Sequence, residues 1–168
     1  IGSFVSVAQK LELIDKFDKE VILKAVDFIE TNKVNYELAV NLSFASIINE
    51  DFMSWLDNLI EEKSDIMNKV VFSITAYSAY LNKRDFERFI KHMSEIGGKV
   101  LLKRYKTEEY PLEKLNGLDL EYIRIHKDYT SNFTNDVVKK HKVKNTLIYG
   151  ELNNIKVITD TVKLDLDY

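Results

Sequence analysis

Apolar residues along this chain switch repeatedly between a helical and a strand-like spacing. A short helical signal covers Val7 to Leu13, and a longer one runs from Asp18 to about Asn32, with Val21, Ile22, Ala25, Val26 and Ile29 on one face. Tyr36 to Leu42 is a brief apolar run of the kind that forms a buried parallel strand. Phe52, Trp55, Leu56, Leu59 and Ile60 then recur at three- and four-residue steps, with Asn49 or Asp51 placed to cap that helix. Val70 to Thr75 reads as the next strand, and Phe86, Phe89, Ile90, Met93 and Ile96 form a helical stripe ended by Gly97-Gly98. Val100 to Leu102 is a further strand, followed by a turn around Pro111 and a short helical piece from Leu112 to Leu115. Two last strands are predicted at Tyr122 to Ile125 and Thr146 to Tyr149.

Strands alternating with helices imply parallel pairing through right-handed crossovers. That leaves a doubly wound sheet or a (β/α) barrel, and periodicity does not choose between them. No fixed-period repeat, low-complexity segment or Pro- or Gly-rich linker interrupts the pattern, so residues 1–168 are expected to form one unit. The chain opens at Ile1 directly before a patterned segment, which leads us to expect a piece of a longer protein.

Composition narrows the function classes. Hydrophobic residues make up 45% of the chain, enough for one sizeable core. With 24 basic and 27 acidic side chains the totals argue against a nucleic-acid-coating surface. Cysteine is absent, which removes disulfides and thiolate metal sites and fits a reducing cytoplasm. No stretch reaches the roughly 18 apolar residues of a membrane span, so this segment is expected to be soluble and not inserted in a membrane.

Several segments, in order, resemble the EAL domain family of cyclic-di-GMP signalling. Phe4 to Ile14 is similar to the family's FIPxAExxGLI stretch, and Asp18-Lys19-Glu20-Val21 to its LDRxV. Val40-Asn41-Leu42-Ser43 resembles INLS, and Phe72 to Ala76 stands where the family reads xEITE. Leu102 to Thr107 stands at LDDFGT, Ile123-Arg124-Ile125-His126 at LKID, and Leu166-Asp167-Tyr168 at CDY. The resemblance implies a TIM-type (β/α) barrel, incomplete at both ends, lacking the strand that carries the EAL signature and the closing segment after Tyr168. The connection from His126 to Leu147 is about one helix turn too short for the family.

Members of the family hold two divalent cations in a carboxylate-rich barrel mouth and hydrolyse or bind cyclic di-GMP there. The resemblance implies that this chain has lost that ligand set. Asn41 alone keeps the ligand type, whereas Ser73 and Ala76 replace the glutamates of EITE and Lys103 and Arg104 replace the aspartate pair. Arg124 keeps the basic character of the LKID strand, His126 replaces its aspartate, and the AEGVE glutamate falls near Gly150, with Glu151 one residue out of place. Ser6, Gln9, Lys106 and Glu108 also depart from the family's pattern around the mouth.

The expectation is therefore a catalytically inactive regulatory module with no catalytic or metal-binding residues. Asn41, Lys103, Arg104 and Arg124 are its candidate ligand-binding set at the strand C-terminal ends, the functional face of such barrels. Cyclic di-GMP, a protein partner or an upstream sensor or GGDEF-type domain, and a second copy of the chain are the expected partners. The alternatives are a dimerisation scaffold independent of nucleotide, and an active phosphodiesterase requiring magnesium or manganese. Against the ligand-binding reading, Lys103 and Arg104 are equally suited to pairing with Glu108, Glu109 or Asp128. Tyr77, Tyr105, Tyr110, Tyr129 and Tyr149 are more in keeping with packing than with base stacking.

Overall fold

A computed structural model describes residues 13–131 and 136–159. The Val7 to Leu13 helix and the Leu166 to Tyr168 motif therefore fall outside the described residues, apart from Leu13, which immediately precedes the first described helix.

That helix, α1, covers Ile14–Asn32 and buries Ile22, Ala25, Val26 and Ile29, the face the spacing predicts. Strand β1 follows at Leu38–Asn41, then a short helix α2 at Phe44–Ile47 and helix α3 at Glu50–Glu62. Asn49 caps α3, its side chain accepting the Phe52 N–H at 2.9 Å, as its position suggests. A turn of helix, α4, at Ser64–Met67 leads into β2, Val70–Thr75. Helices α5, Ala76–Leu81, and α6, Lys83–Glu95, precede β3, which spans Lys99–Tyr105. The chain then passes through a 3₁₀ turn at Leu112–Lys114 to β4, Tyr122–Ile125. Helices α7, Lys127–Thr130, and α8, Val137–Leu152, lead to β5, Lys156–Ile158.

All neighbouring strands pair in parallel, and their order across the sheet is β1-β2-β3-β4-β5. A doubly wound sheet needs a point where the strand order reverses. An unbroken sequential order sends each right-handed crossover to the same side, giving an arc of a (β/α) barrel with helices on the outer face. Strand residues sort accordingly: Val40, Val70, Phe72, Ile74, Val100, Leu102 and Ile123 join the main core with residues from α1, α3 and α6. Alternation puts Asn41, Val71, Ser73, Leu101, Lys103 and Arg124 on the other, inner face. Near the strand starts the Glu37 carboxylate accepts from Lys99 Nζ at 2.5 Å and from the Tyr122 hydroxyl. Lys156 Nζ joins the group, 2.7 Å from Glu121 and 3.4 Å from the Tyr122 hydroxyl. Among the described residues no helix is long and apolar enough to cross a membrane.

The predicted strand at Thr146 to Tyr149 is instead part of α8. Asp136 caps that helix by accepting the Lys139 N–H at 3.0 Å, and Val143, Thr146 and Gly150 are its buried positions, a helical spacing. Gly150 lies where α8 presses on the turn into β5. A Cβ there would approach Val157 Cγ2 to 2.5 Å and the Ile155 carbonyl oxygen to 2.6 Å. The short connection inferred after His126 disappears with this correction, since the strand following β4 begins at Lys156. β3 is also longer than predicted and carries Lys103 and Arg104 within it.

Candidate ligand-binding mouth

The end of β3 is irregular in a way that shapes the site. Its pairing with β4 steps from Leu102↔Ile123 to Tyr105↔Ile125, so β3 has one more residue than its partner over that interval. Such a bulge re-aims the side chains it contains. Arg104 sits in it with φ 55°, a left-handed backbone that costs a non-glycine residue about 1–2 kcal/mol.

The four residues singled out from the sequence come together. Asn41, Lys103, Arg104 and Arg124 line one cavity of about 480 Å³, joined by His126 and Lys127. They arrive from the ends of β1, β3 and β4, and Lys127 from the start of α7, a residue the sequence reading did not select. Half-buried Lys103 donates from Nζ to Asn41 Oδ1 at 2.5 Å. It reaches from β3 across β2, where the facing residues are the small Ser73 and Thr75. Burial, and then the charges of Arg104 and Arg124, lower its pKa from 10.5 to about 8, with Asp18 opposing.

The carboxylates considered as partners of Lys103 and Arg104 are engaged elsewhere. Asp128 lies 3.0 Å from Lys106 and 3.3 Å from His126 Nδ1, Glu109 is 3.7 Å from Lys106, and Glu108 pairs with Lys142. His126 caps α7, its Nδ1 accepting the Asp128 N–H at 3.1 Å, so its role in the fold is structural even though it borders the cavity. His92 makes a 2.8 Å contact with Asp57, linking α6 to α3 away from the mouth. Tyr105, Tyr110 and Tyr129 are buried and Tyr149 packs on the main core, whereas Tyr77 is 60% exposed. The packing reading holds for every tyrosine of that group except Tyr77.

A second cavity, of about 700 Å³, lies between α1 and β1 and shares Asn41, Lys103 and Arg104 with the first. Its wall includes Asp18, which the sequence reading used only as a motif position. Asp18 is buried, accepting the Ser43 N–H at 2.8 Å and the Ser46 hydroxyl at 2.7 Å. Burial raises its pKa above the ordinary carboxylate value although both bonds act to lower it. This contact fixes α1 against the turn after β1 and so holds Asn41.

Can this mouth hold divalent cations? The described residues lining the first cavity include no carboxylate, and the amide oxygen of Asn41 is taken by an ammonium. Among the described residues no group of three His, Cys, Asp or Glu side chains is placed to hold a metal. A divalent ion prefers clustered anionic oxygens, so the described residues do not fit one. Gly150 and Glu151, near which the resemblance placed the AEGVE glutamate, lie in α8 and not on a strand.

Comparison with known proteins agrees with this architecture. The family model of the EAL domain matches residues 2–165. The cyclic di-GMP phosphodiesterase PdeF of Escherichia coli (strain K12) is 19% identical over 164 residues, covering 96% of this chain but 22% of that protein. The PaMucR phosphodiesterase, solved in complex with c-di-GMP, superposes with TM-score 0.86 at 18% identity over 98% of this chain and 73% of that one. The FimX EAL domain from Pseudomonas aeruginosa bound to c-di-GMP gives TM-score 0.84 at 18% identity, over 98% of this chain and 66% of that one. An apo Vibrio cholerae LapD structure of S helix, GGDEF and EAL regions gives 0.83 at 17% identity, with 96% and 39% coverage. The chain thus spans about a fifth of the curated relative it matches.

Proposed function

The chain belongs to the EAL domain family, and from that premise we propose that it is a non-catalytic regulatory domain which binds cyclic di-GMP at the mouth formed by Asn41, Lys103, Arg104 and Arg124. The observation carrying this reading is the inverted charge of the mouth. The cavity is bordered by Lys103, Arg104, Arg124 and Lys127 and by no carboxylate among the described residues, which suits the phosphodiester of the ligand and not the metal ions that would activate water to attack it. Structures of the PaMucR and FimX relatives contain c-di-GMP, which supports the choice of ligand. The LapD relative carries GGDEF and EAL regions in one chain, which supports a partner domain of that type for this one. The absence of cysteine fits operation in the cytoplasm.

Calorimetric titration of cyclic di-GMP into the protein tests the reading. Micromolar or tighter binding that is lost in Arg124→Ala and Lys103→Ala is expected. No detectable heat with folded protein would sink it and favour the second reading, a scaffold that works through protein contacts alone. One feature supports that alternative: α8 exposes Val137, Val138, Ile148 and Leu152. Ile148 and Leu152, four residues apart, lie side by side on its last turns and form a small apolar patch suited to a second copy of the chain, whereas exposed His141, Lys144 and Asn145 separate them from Val137 and Val138. Light scattering with Ile148→Lys and Leu152→Lys distinguishes the two, since a scaffold loses its dimer while a nucleotide receptor keeps its ligand.

A further inference from the structure

Tyr105 and Tyr110 are fully buried, and Tyr149 packs against the same core. They come from different parts of the chain: Tyr105 ends β3, Tyr110 lies in the loop that follows it, and Tyr149 is on α8. The three hydroxyl oxygens are closed off from solvent, and among the described residues none has a hydrogen-bond partner. An unpaired buried hydroxyl carries a desolvation cost that native folds seldom leave uncompensated. Rotating the rings does not relieve it, because a phenol oxygen lies on the axis about which its ring turns. The Tyr110 ring is also wedged against Tyr80 and Phe86, with centroids 5.4 and 6.4 Å away.

The three hydroxyls are near enough to act on one another. Burial raises the pKa of each phenol above its ordinary value; Tyr149, then Glu113, Tyr110 and Glu108 add to the rise at Tyr105, and Glu87 and Tyr149 add to it at Tyr110. The nearby carboxylates do not supply the missing bonds: Glu108 is paired with Lys142, Glu87 lies 3.4 Å from Lys83, and Glu113 is exposed. Nor do the hydroxyls bond one another, which puts their oxygens beyond hydrogen-bond distance. Polar groups that are neighbours yet too far apart to bond directly are the ones a single water bridges, and a buried water typically makes about three bonds to groups otherwise unsatisfied.

We propose that the hydroxyls of Tyr105, Tyr110 and Tyr149 form the binding site of one internal water molecule, which ties the end of β3 and the loop after it to α8. Each hydroxyl can both donate and accept, so one water with two hydrogens and two lone pairs can serve all three. Neutral phenols offer no charge to hold an ion, and water is the occupant of matching chemistry. Tyr105 directly follows Arg104, so the water also braces the bulge in which Arg104 sits. This holds whatever ligand the mouth takes.

Urea denaturation of the protein carrying Tyr105→Phe, Tyr149→Phe, and both together tests the site. Each change removes an oxygen and keeps the ring, so the packing is retained. Each single change should lower the folded-to-unfolded ratio by about fivefold, the net worth of a hydrogen bond. The pair should lower it by less than the product of the two, because the first change already disrupts the shared water. Oxygen-17 magnetic relaxation dispersion, which counts long-lived internal waters, should find fewer in the doubly changed protein than in the wild type. Single changes that leave the ratio unchanged or raise it would mean that the hydroxyls are truly unpaired, since deleting an orphaned buried hydroxyl relieves its cost. That result, fully multiplicative losses in the pair, or an equal count of long-lived waters would overturn the proposal.

Discussion

Replacing Arg104 by glycine should separate what this residue costs the fold from what it contributes to the site. Arg104 has φ 55° inside the bulge of β3. A non-glycine residue there pays about 1–2 kcal/mol for the clash of its Cβ with the neighbouring carbonyl. Glycine removes the clash but loses about 0.4–1 kcal/mol because its unfolded state is more disordered. The net effect of Arg104→Gly on stability should lie between no change and a gain of about 1.5 kcal/mol. Arg104→Ala keeps the clash and deletes the same guanidinium, so it is the matched control. In an ordinary strand Gly is less stable than Ala by about 0.5–1 kcal/mol, and the prediction here is the reverse order. Urea denaturation of both variants measures the difference directly. Both should lose about tenfold or more in cyclic di-GMP affinity by calorimetry, since both lose the same cation. If the Arg104→Gly variant proves less stable than the Arg104→Ala variant, the left-handed backbone of Arg104 is not strained and this reasoning fails.

Other perturbations probe the supports of the site. Asp18→Ala leaves the Ser43 N–H and the Ser46 hydroxyl without their acceptor, and should cost about 1–3 kcal/mol in denaturant unfolding, with Asp18→Asn losing less because it retains an acceptor oxygen. Gly150→Ala should lower the melting temperature despite the better helix propensity of Ala, because its Cβ would meet the Ile155 carbonyl oxygen and Val157 Cγ2; a rise in melting temperature would refute the packing of α8 on β5. The Glu37 carboxyl is pushed up by burial but held below its ordinary value of 4.5 by its bonds to Lys99 and Tyr122. With the folded value depressed, its contribution is present above pH 4.5 and is lost as the pH falls through the folded value. Glu37→Gln should therefore flatten the acid limb of the stability curve, and an unchanged limb would contradict the assignment.

Much of this was legible in the chain because buried elements leave a periodic trace. β2 lies at Val70–Thr75, as the apolar run predicts, and α1, α3 and α6 bury the faces their spacing marks. The failure came where the trace is weakest. Thr146 to Tyr149 has the β-branched and aromatic composition of a strand, yet it belongs to a helix whose buried positions are Val143, Thr146 and Gly150. The strand that does follow, Lys156–Ile158, has an exposed residue at each end and too little apolar length to stand out. Register information was also invisible. That Lys103 bonds Asn41 depends on β3 and β1 flanking a strand with serine and threonine at its inner face, which no local pattern reveals. The sequence resemblance located the four candidate side chains, but only the fold brought Lys127 to them and gave Asp18 a structural role.

The most direct test of the central claim is product analysis of cyclic di-GMP incubated with the protein in magnesium and in manganese, run beside an Asn41→Ala variant. A mouth lined by lysine and arginine instead of carboxylates should bind the dinucleotide and return it intact. Linear dinucleotide formed in the presence of metal, at a rate abolished by Asn41→Ala, would show that ligands outside the described residues complete a working metal site and would contradict the account.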